Sequence, residues 1–199
     1  MASALPPDPR RRFLALATGT VGGIGVTATT IMFVETMQPS ERARAGGGPV
    51  EVDLSGIAPG NLLTIEWRGR PVWVLHRTSA MLEMLGKHDN VLVDPASQQD
   101  QQPPYARNPT RSIRPEFLVA TAICTHLGCI PSFRPEPGAP DLGPAWPGGF
   151  YCPCHGSRFD LAGRVFQNVP APRNLEIPPY AFIGVDKLIV GQDPGGKVA

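Results

Sequence analysis

The sequence predicts a mainly β head carried on a single N-terminal membrane-spanning helix, and three observations lead there. Residues Phe13 to Val34 (FLALATGTVGGIGVTATTIMFV) run without a charge, whereas the rest of the chain breaks into short apolar and β-branched runs punctuated by many of its 22 glycines and 24 prolines. Such runs read as strands and turns, with one short helical stretch among them. All four cysteines and two of the four histidines fall in two boxes, Cys124-Thr125-His126-Leu127-Gly128-Cys129 and Cys152-Pro153-Cys154-His155-Gly156-Ser157. That concentration places metal chemistry at one point of the head.

Composition allows one ordinary core with appendages, since 42% of the 199 residues are hydrophobic and 18% charged. A formal net charge of +1, with no basic run beyond Arg10 to Arg12, leaves no footprint for nucleic acid or an acidic substrate.

Residues 1–12 are polar and proline-marked, an N-terminal segment expected in the cytoplasm. As a helix, residues 13–34 would be about 33 Å long, enough to cross the hydrocarbon of a bilayer. Gly19, Gly22, Gly23 and Gly25 and several threonines make the run weakly hydrophobic, and small residues suit a helix that packs against a partner helix in the membrane. Arg10-Arg11-Arg12-Phe13-Leu14 has the form of a twin-arginine export signal, used by proteins that fold and take up a cofactor before crossing. As a plain topology signal the same arginines would hold the N-terminus inside. Either way the C-terminal head is expected on the outer side of the membrane. Ala43-Arg44-Ala45 has the form of a cleavage site, but it lies far beyond the apolar run, whose 22 residues exceed the 7 to 15 usual for a cleaved signal.

Glu35 to Pro49, ending in Gly46-Gly47-Gly48-Pro49, reads as a flexible tether. The head, 50–199, follows. Leu62 to Trp67 and Val72 to His76 flank Arg68-Gly69-Arg70 as a hairpin, and Ser79 to Leu85 is helical up to Gly86. Val91 to Asp94 is read as a further strand, and Pro95 to Arg114 as a long surface loop. His76 and His88 have no cysteine nearby and are expected to be structural or solvated. Phe117 to Ile123 is a continuous apolar run that delivers Cys124, and Phe150-Tyr151 delivers the second box, so two strand ends present the boxes side by side. Between them Ile130 to Gly149, dense in proline and glycine, is expected to be an excursion over the surface. A closing hairpin, Ala181 to Val185 and Leu188 to Val190, turns at Asp186-Lys187.

Each box offers one outer cysteine and one histidine, C-x-H in the first and C-x-x-H in the second, with one cysteine left over. Two thiolates and two imidazoles suit zinc or an iron–sulfur centre by softness alone. A structural zinc hairpin needs no further cysteines, whereas here each loop carries a matched spare. Gly128 and Gly156 permit turns whose N–H groups point at an anion, and Leu127 stands as an apolar cap near the imidazoles.

On these two boxes and the later Val169-Pro170-Ala171-Pro172, the chain resembles the Rieske iron–sulfur subunit of bacterial ubiquinol–cytochrome c reductases, the cytochrome bc1 complex. The resemblance covers nearly the whole chain and implies an antiparallel β domain with an inserted cluster-binding subdomain, about 123–172. It implies a [2Fe–2S] cluster with Cys124 and Cys152 on one iron and His126 and His155 on the other, and a disulfide between Cys129 and Cys154. The two histidines would face quinol and accept electron and proton, and Pro170, Ala171 and Pro172 would cover a third side. Implied partners are cytochrome b, cytochrome c1 and quinol, within a dimeric membrane complex. Two imidazoles in place of two thiolates make such a cluster less negative and raise its potential. The chain departs from the pattern at Phe159, where members of high potential have a tyrosine, and at Arg158, where a histidine is common. Ser157 keeps a hydroxyl at the other position expected to tune the cluster.

Three rivals share part of this signature. A Rieske ferredoxin or ring-hydroxylating oxygenase domain typically lacks the spare cysteines and the anchor. The small Rieske subunit of a periplasmic oxidoreductase such as arsenite oxidase can share the export signal. A structural zinc domain would be colourless and EPR-silent.

Overall fold

The computed structural model describes residues 8–40, 43 and 46–198. Arg44 and Ala45 of the cleavage triplet, and 41 and 42 within the predicted tether, lie outside the described residues, as do 1–7. The chain divides into two compact units, Met1–Ala45 and Gly46–Ala199.

The first unit is dominated by one helix, α1 (Pro9–Thr36), longer at both ends than the uncharged run. Asp8 caps it by accepting the Arg10 N–H at 3.0 Å, with proline at its first position. The arginines therefore occupy its first turn. At 28 residues it is about 42 Å long, and its most apolar 18 residues have a mean hydropathy of 1.4. Thr20, Thr27, Thr29 and Thr30 each donate a hydroxyl to the carbonyl four residues earlier at 2.8 Å. Those hydroxyls are satisfied inside the helix, which explains how a threonine-rich run can enter hydrocarbon.

The second unit carries, among the described residues, three antiparallel sheets of three strands. The first joins β2 (Leu62–Trp67), β3 (Arg70–His76) and β4 (Phe117–Thr121). Arg68 and Gly69, both at positive φ, make the two-residue turn between β2 and β3, the geometry that matches strand twist. Val72, Val74 and Leu75 are fully buried, as are Leu118, Val119 and Ala120 opposite them. The second sheet pairs β1 (Val50–Asp53) with β9 (Lys187–Val190), and β9 with β8 (Tyr180–Ile183). The third joins β5 (Ser132–Arg134), β6 (Gly149–Tyr151) and β7 (Arg158–Phe159). Trp73 of β3 stacks on Phe150 of β6 with ring centroids 4.6 Å apart, welding the first sheet to the third. Gly149 sits where a Cβ would come within 2.0 Å of the Phe159 carbonyl, so β6 can approach β7 only with glycine there.

A short helix, α2 (Ser79–Leu85), is capped by Thr78, whose hydroxyl accepts the Met81 N–H, and stops at Gly86 as expected. Three expectations need correction. Val91 to Asp94 is no strand: Asp89–Val91 is a turn of 3-10 helix, and Leu92 makes a single bridge to Phe166. Residues 95–114 do not lie on the surface as a simple loop, because Ser97, Gln101, Gln102, Ala106, Arg111 and Ser112 are buried. Side chains replace a ladder there. Asp94 accepts the N–H groups of Gln98 and Gln99, Gln102 donates to the carbonyls of Ser97 and Gln99, and Asn108 donates to those of Tyr105 and Ser112. Finally, 130–149 is more than an excursion. It supplies β5 and gathers Ala139, Leu142 and Trp146 into a small core of its own, against Tyr151 and Phe166.

Candidate metal centre

The first box leaves the end of β4 and the second forms the connection between β6 and β7. Each is closed by the same two backbone bonds. Cys124 N–H donates to the Cys129 carbonyl at 2.7 Å and Gly128 N–H to the Cys124 carbonyl at 3.0 Å; Cys152 N–H donates to the Ser157 carbonyl at 2.8 Å and Gly156 N–H to the Cys152 carbonyl at 2.9 Å. Gly128 (φ 85°) and Gly156 (φ 77°) take the left-handed conformation that turns each loop back.

This geometry brings the residues of the two boxes together. The rings of His126 and His155 meet edge to face with centroids 4.8 Å apart. Cys124 and Cys152 are free thiols and buried, each 2% exposed. Burial pushes the Cys124 thiol up, and the Cys152 thiol beside it adds to that, while the His126 N–H and the Ser157 hydroxyl oppose it. Cys129 and Cys154 form the disulfide that links the loops. The sulfurs of Cys129, Cys152 and Cys154 lie within 4.8 Å of one another, but a disulfide removes two of them as ligands. The donors that remain, two soft thiols inside and two imidazoles outside, fit a cluster with chemically different ends.

A protein-family model described as "Rieske [2Fe-2S] domain" matches residues 55–180. The chain belongs to the Rieske family. A second model, "Ubiquitinol-cytochrome C reductase Fe-S subunit TAT signal", matches residues 7–40. Curated relatives named "Ubiquinol-cytochrome c reductase iron-sulfur subunit" include one from Allochromatium vinosum, 57% identical over 94% of this chain and 90% of its own. Another, from Bradyrhizobium diazoefficiens, is 40% identical over 96% of this chain and 98% of its own. Among solved structures, a chain of "Hyperthermophilic respiratory Complex III" overlaps 87% of this chain and 98% of itself, at 25% identity and a TM-score of 0.46.

Around the Rieske site, Ser157 is fully buried and acts in two directions. It accepts the Ala171 N–H at 3.0 Å, tying down the proline loop, and its hydroxyl favours the Cys124 thiolate against burial. Thr125 donates to the Arg173 carbonyl at 2.6 Å, so the same proline loop is held from the first box as well. Ala171 is buried while Pro170 and Pro172 are exposed. Phe159 is completely buried, opposite Phe150, and brings no donor. Leu127 is 71% exposed, and His155 is exposed with it, so an apolar side chain and an imidazole share the tip. His76 and His88 stand apart as structural groups. His76 Nδ1 meets the Ile57 carbonyl at 2.6 Å, and His88 Nε2 meets Asp160 at 3.3 Å.

Sequence reasoning missed the buttress behind β7. Asp160, Arg77, Arg111 and Arg164 are all buried to 2% exposure or less and converge on the turn 160–164. Asp160 accepts from the N–H groups of Ala162 and Arg164 and from the Arg164 guanidinium. Arg77 donates to the Leu161 carbonyl, and Arg111 to those of Ala162, Gly163 and Leu175. Burial alone would push the Asp160 carboxyl up, but His88 and Arg164 overcome it and hold the carboxyl below the usual range. Burial pushes Arg77 and Arg111 down to about 10, still charged at neutral pH. Arginine is usually exposed, and no spacing in the sequence marks these three as otherwise.

Proposed function

We propose that this chain is the electron-transfer subunit of a quinol–cytochrome c reductase, holding a Rieske [2Fe–2S] cluster by Cys124 and Cys152 on one iron and His126 and His155 on the other. The observation that carries this reading is the pairing of the two boxes. Each loop contributes one buried thiol and one imidazole, and the half-buried His126 ring meets the exposed His155 ring edge to face. When bound, the cluster supplies a one-electron acceptor of raised potential. The residues do the rest. His126 and His155, each holding iron through one ring nitrogen, would leave the other nitrogen to take the proton that accompanies the electron. Exposed Leu127 and His155 give a partner's quinol an apolar and a polar contact at one place. The disulfide and the proline loop, fastened by Ser157 and Thr125, keep water from the sulfur end.

In this reading cytochrome b presents the quinol, cytochrome c1 receives the electron, and the assembly is dimeric. Helix α1 anchors the chain in a bacterial inner membrane with 1–12 cytoplasmic and the head, 50–199, periplasmic. The test is EPR of the ascorbate-reduced membrane fraction. A low-field-shifted signal typical of mixed His/Cys ligation is expected, and a zinc-containing, EPR-silent head would overturn the reading.

A further inference from the structure

We propose that Cys152 is an internal nucleophile toward the Cys129–Cys154 disulfide, so that a head without its cluster rearranges to a Cys129–Cys152 disulfide and releases Cys154 as a thiol. The inference rests on the reading of Cys152 as a cluster ligand. Three sulfurs converge where the loops meet, all within 4.8 Å of one another; two are already bonded and the third is free. In the exchange the Cys152 thiolate attacks the Cys129 sulfur. The Cys129–Cys154 bond breaks as the Cys129–Cys152 bond forms, the electron pair leaves on Cys154, and the proton given up by Cys152 is returned there through water. One disulfide and one thiol stand on each side, so no outside oxidant or reductant is involved.

The direction follows from ring size and exposure. Attack on Cys154 would close a disulfide across Cys152-Pro153-Cys154, a very short ring through a proline whose φ is fixed. Attack on Cys129 keeps the two loops joined and sets free Cys154, which is exposed and whose sulfur water can solvate as it leaves. Cys152 itself is only 2% exposed. Dissolved thiols and oxidants reach it poorly, and the disulfide is a reaction partner already beside it. The product has one ligand thiol fewer and can no longer take the cluster. A metal-bound Cys152 is not free to attack, so ligation protects the disulfide, and cluster insertion must come before oxidation of Cys129 and Cys154. The match of residues 7–40 to a twin-arginine signal is in keeping with that order, because such export carries proteins across already folded.

The test uses the full chain, purified in detergent with its cluster. Iron is removed anaerobically by a chelator without reductant, free thiols are trapped by alkylation, and the disulfides are mapped by mass spectrometry. Before removal only Cys129–Cys154 is expected; afterwards Cys129–Cys152 is expected, with alkylated Cys154. A stripped chain that keeps Cys129–Cys154 alone, with Cys124 and Cys152 both alkylated, overturns the proposal, and so does a Cys124–Cys152 bond, which would mean oxidation and not exchange. The full-length Cys152→Ser variant should keep Cys129–Cys154 whatever its iron content; rearrangement in that variant removes the role from Cys152. Failure of the underlying ligand reading shows separately, as absence of the mixed-ligand EPR signal from the loaded protein.

Discussion

Loop one, Cys124 to Cys129, and loop two, Cys152 to Ser157, have the same six-residue frame, with the first N–H bonded to the sixth carbonyl, the fifth N–H bonded to the first carbonyl, and glycine at the fifth position. The side chains on that frame are distributed differently. The third position holds His126 in one and Cys154 in the other, the fourth Leu127 and His155, the sixth Cys129 and Ser157. A frame that fixes the first cysteine therefore tolerates its histidine at either of two neighbouring positions, and this is the physical content of C-x-H against C-x-x-H. The loops also differ in what stands behind them. Loop two runs through β7 into the turn bonded by three buried arginines, whereas loop one runs into 130–131 and relies on Thr125 and the disulfide.

The broadest test of the shared frame replaces its four proposed ligands. Cys124→Ala, His126→Ala, Cys152→Ala and His155→Ala should each abolish the mixed-ligand EPR signal, equally in both loops; a His126→Ala protein with the full signal would break the equivalence.

Next come the supports. Asp160→Asn removes the buried carboxylate of Arg164 and leaves it only the half-exposed Asp89, and should destabilise the head by about 3 kcal/mol, measured by denaturant unfolding. Because the Asp160 carboxyl is held low in the folded state, its contribution is complete above the ordinary carboxylate range near pH 4 and is lost as pH falls through the folded value. Wild type should thus lose stability in acid more steeply than the Asn variant, and parallel acid curves would contradict the assignment.

The disulfide joins the sixth position of one loop to the third of the other, closing a span with a sequence separation of 25. Cys129→Ala and Cys154→Ala should each cost about 3.5 kcal/mol in the chain-entropy account, with the double variant no worse than either single. Unequal single losses would show that the cysteines do more than pair.

On the weaker support, Thr125→Ala removes one hydrogen bond and should cost about 1 kcal/mol, several-fold less than Asp160→Asn. Equal losses would erase the asymmetry between the loops.

The smallest effect separates the sixth position of loop two from its neighbour on β7. Ser157→Ala removes the hydroxyl that favours the Cys124 thiolate, and at about 0.5–1.5 kcal/mol for one hydrogen bond should lower the midpoint potential by roughly 20–65 mV. Phe159→Tyr should raise it by a similar amount if the new hydroxyl reaches sulfur from its buried place. An unchanged potential in redox titration would reduce Phe159 to packing.

Wherever a residue's place follows from its neighbours in sequence, the fold and the meeting of the two boxes were legible. The uncharged run marked α1, the Arg68-Gly69 turn marked the β2–β3 hairpin, and the paired boxes marked both loops, since six residues closed by two backbone bonds form one local turn. What escaped depends on contacts across long separations. The pairing of β1 with β9 spans almost the whole head, and four-residue strands carry no mark of their partner. Residues 95–114 looked like a surface loop because their polar side chains are those of a surface loop; most of those side chains bond within the segment, and Arg111 ties it to the distant carbonyls of Ala162 and Leu175.

That β1–β9 pairing bears on how the head answers a pull. The strand β1 begins at Val50, just after the segment that leads back to α1, and its register runs Val50 against Val190 to Asp53 against Lys187. Tension arriving from the membrane side is taken up first by this ladder, with its antiparallel bonds lying across the strand direction and therefore strained together instead of one at a time. The ligand loops hang on β4, β6 and β7, in the other two sheets. A pull on the head through residue 50 would therefore meet the β1–β9 ladder before the two sheets that carry the boxes.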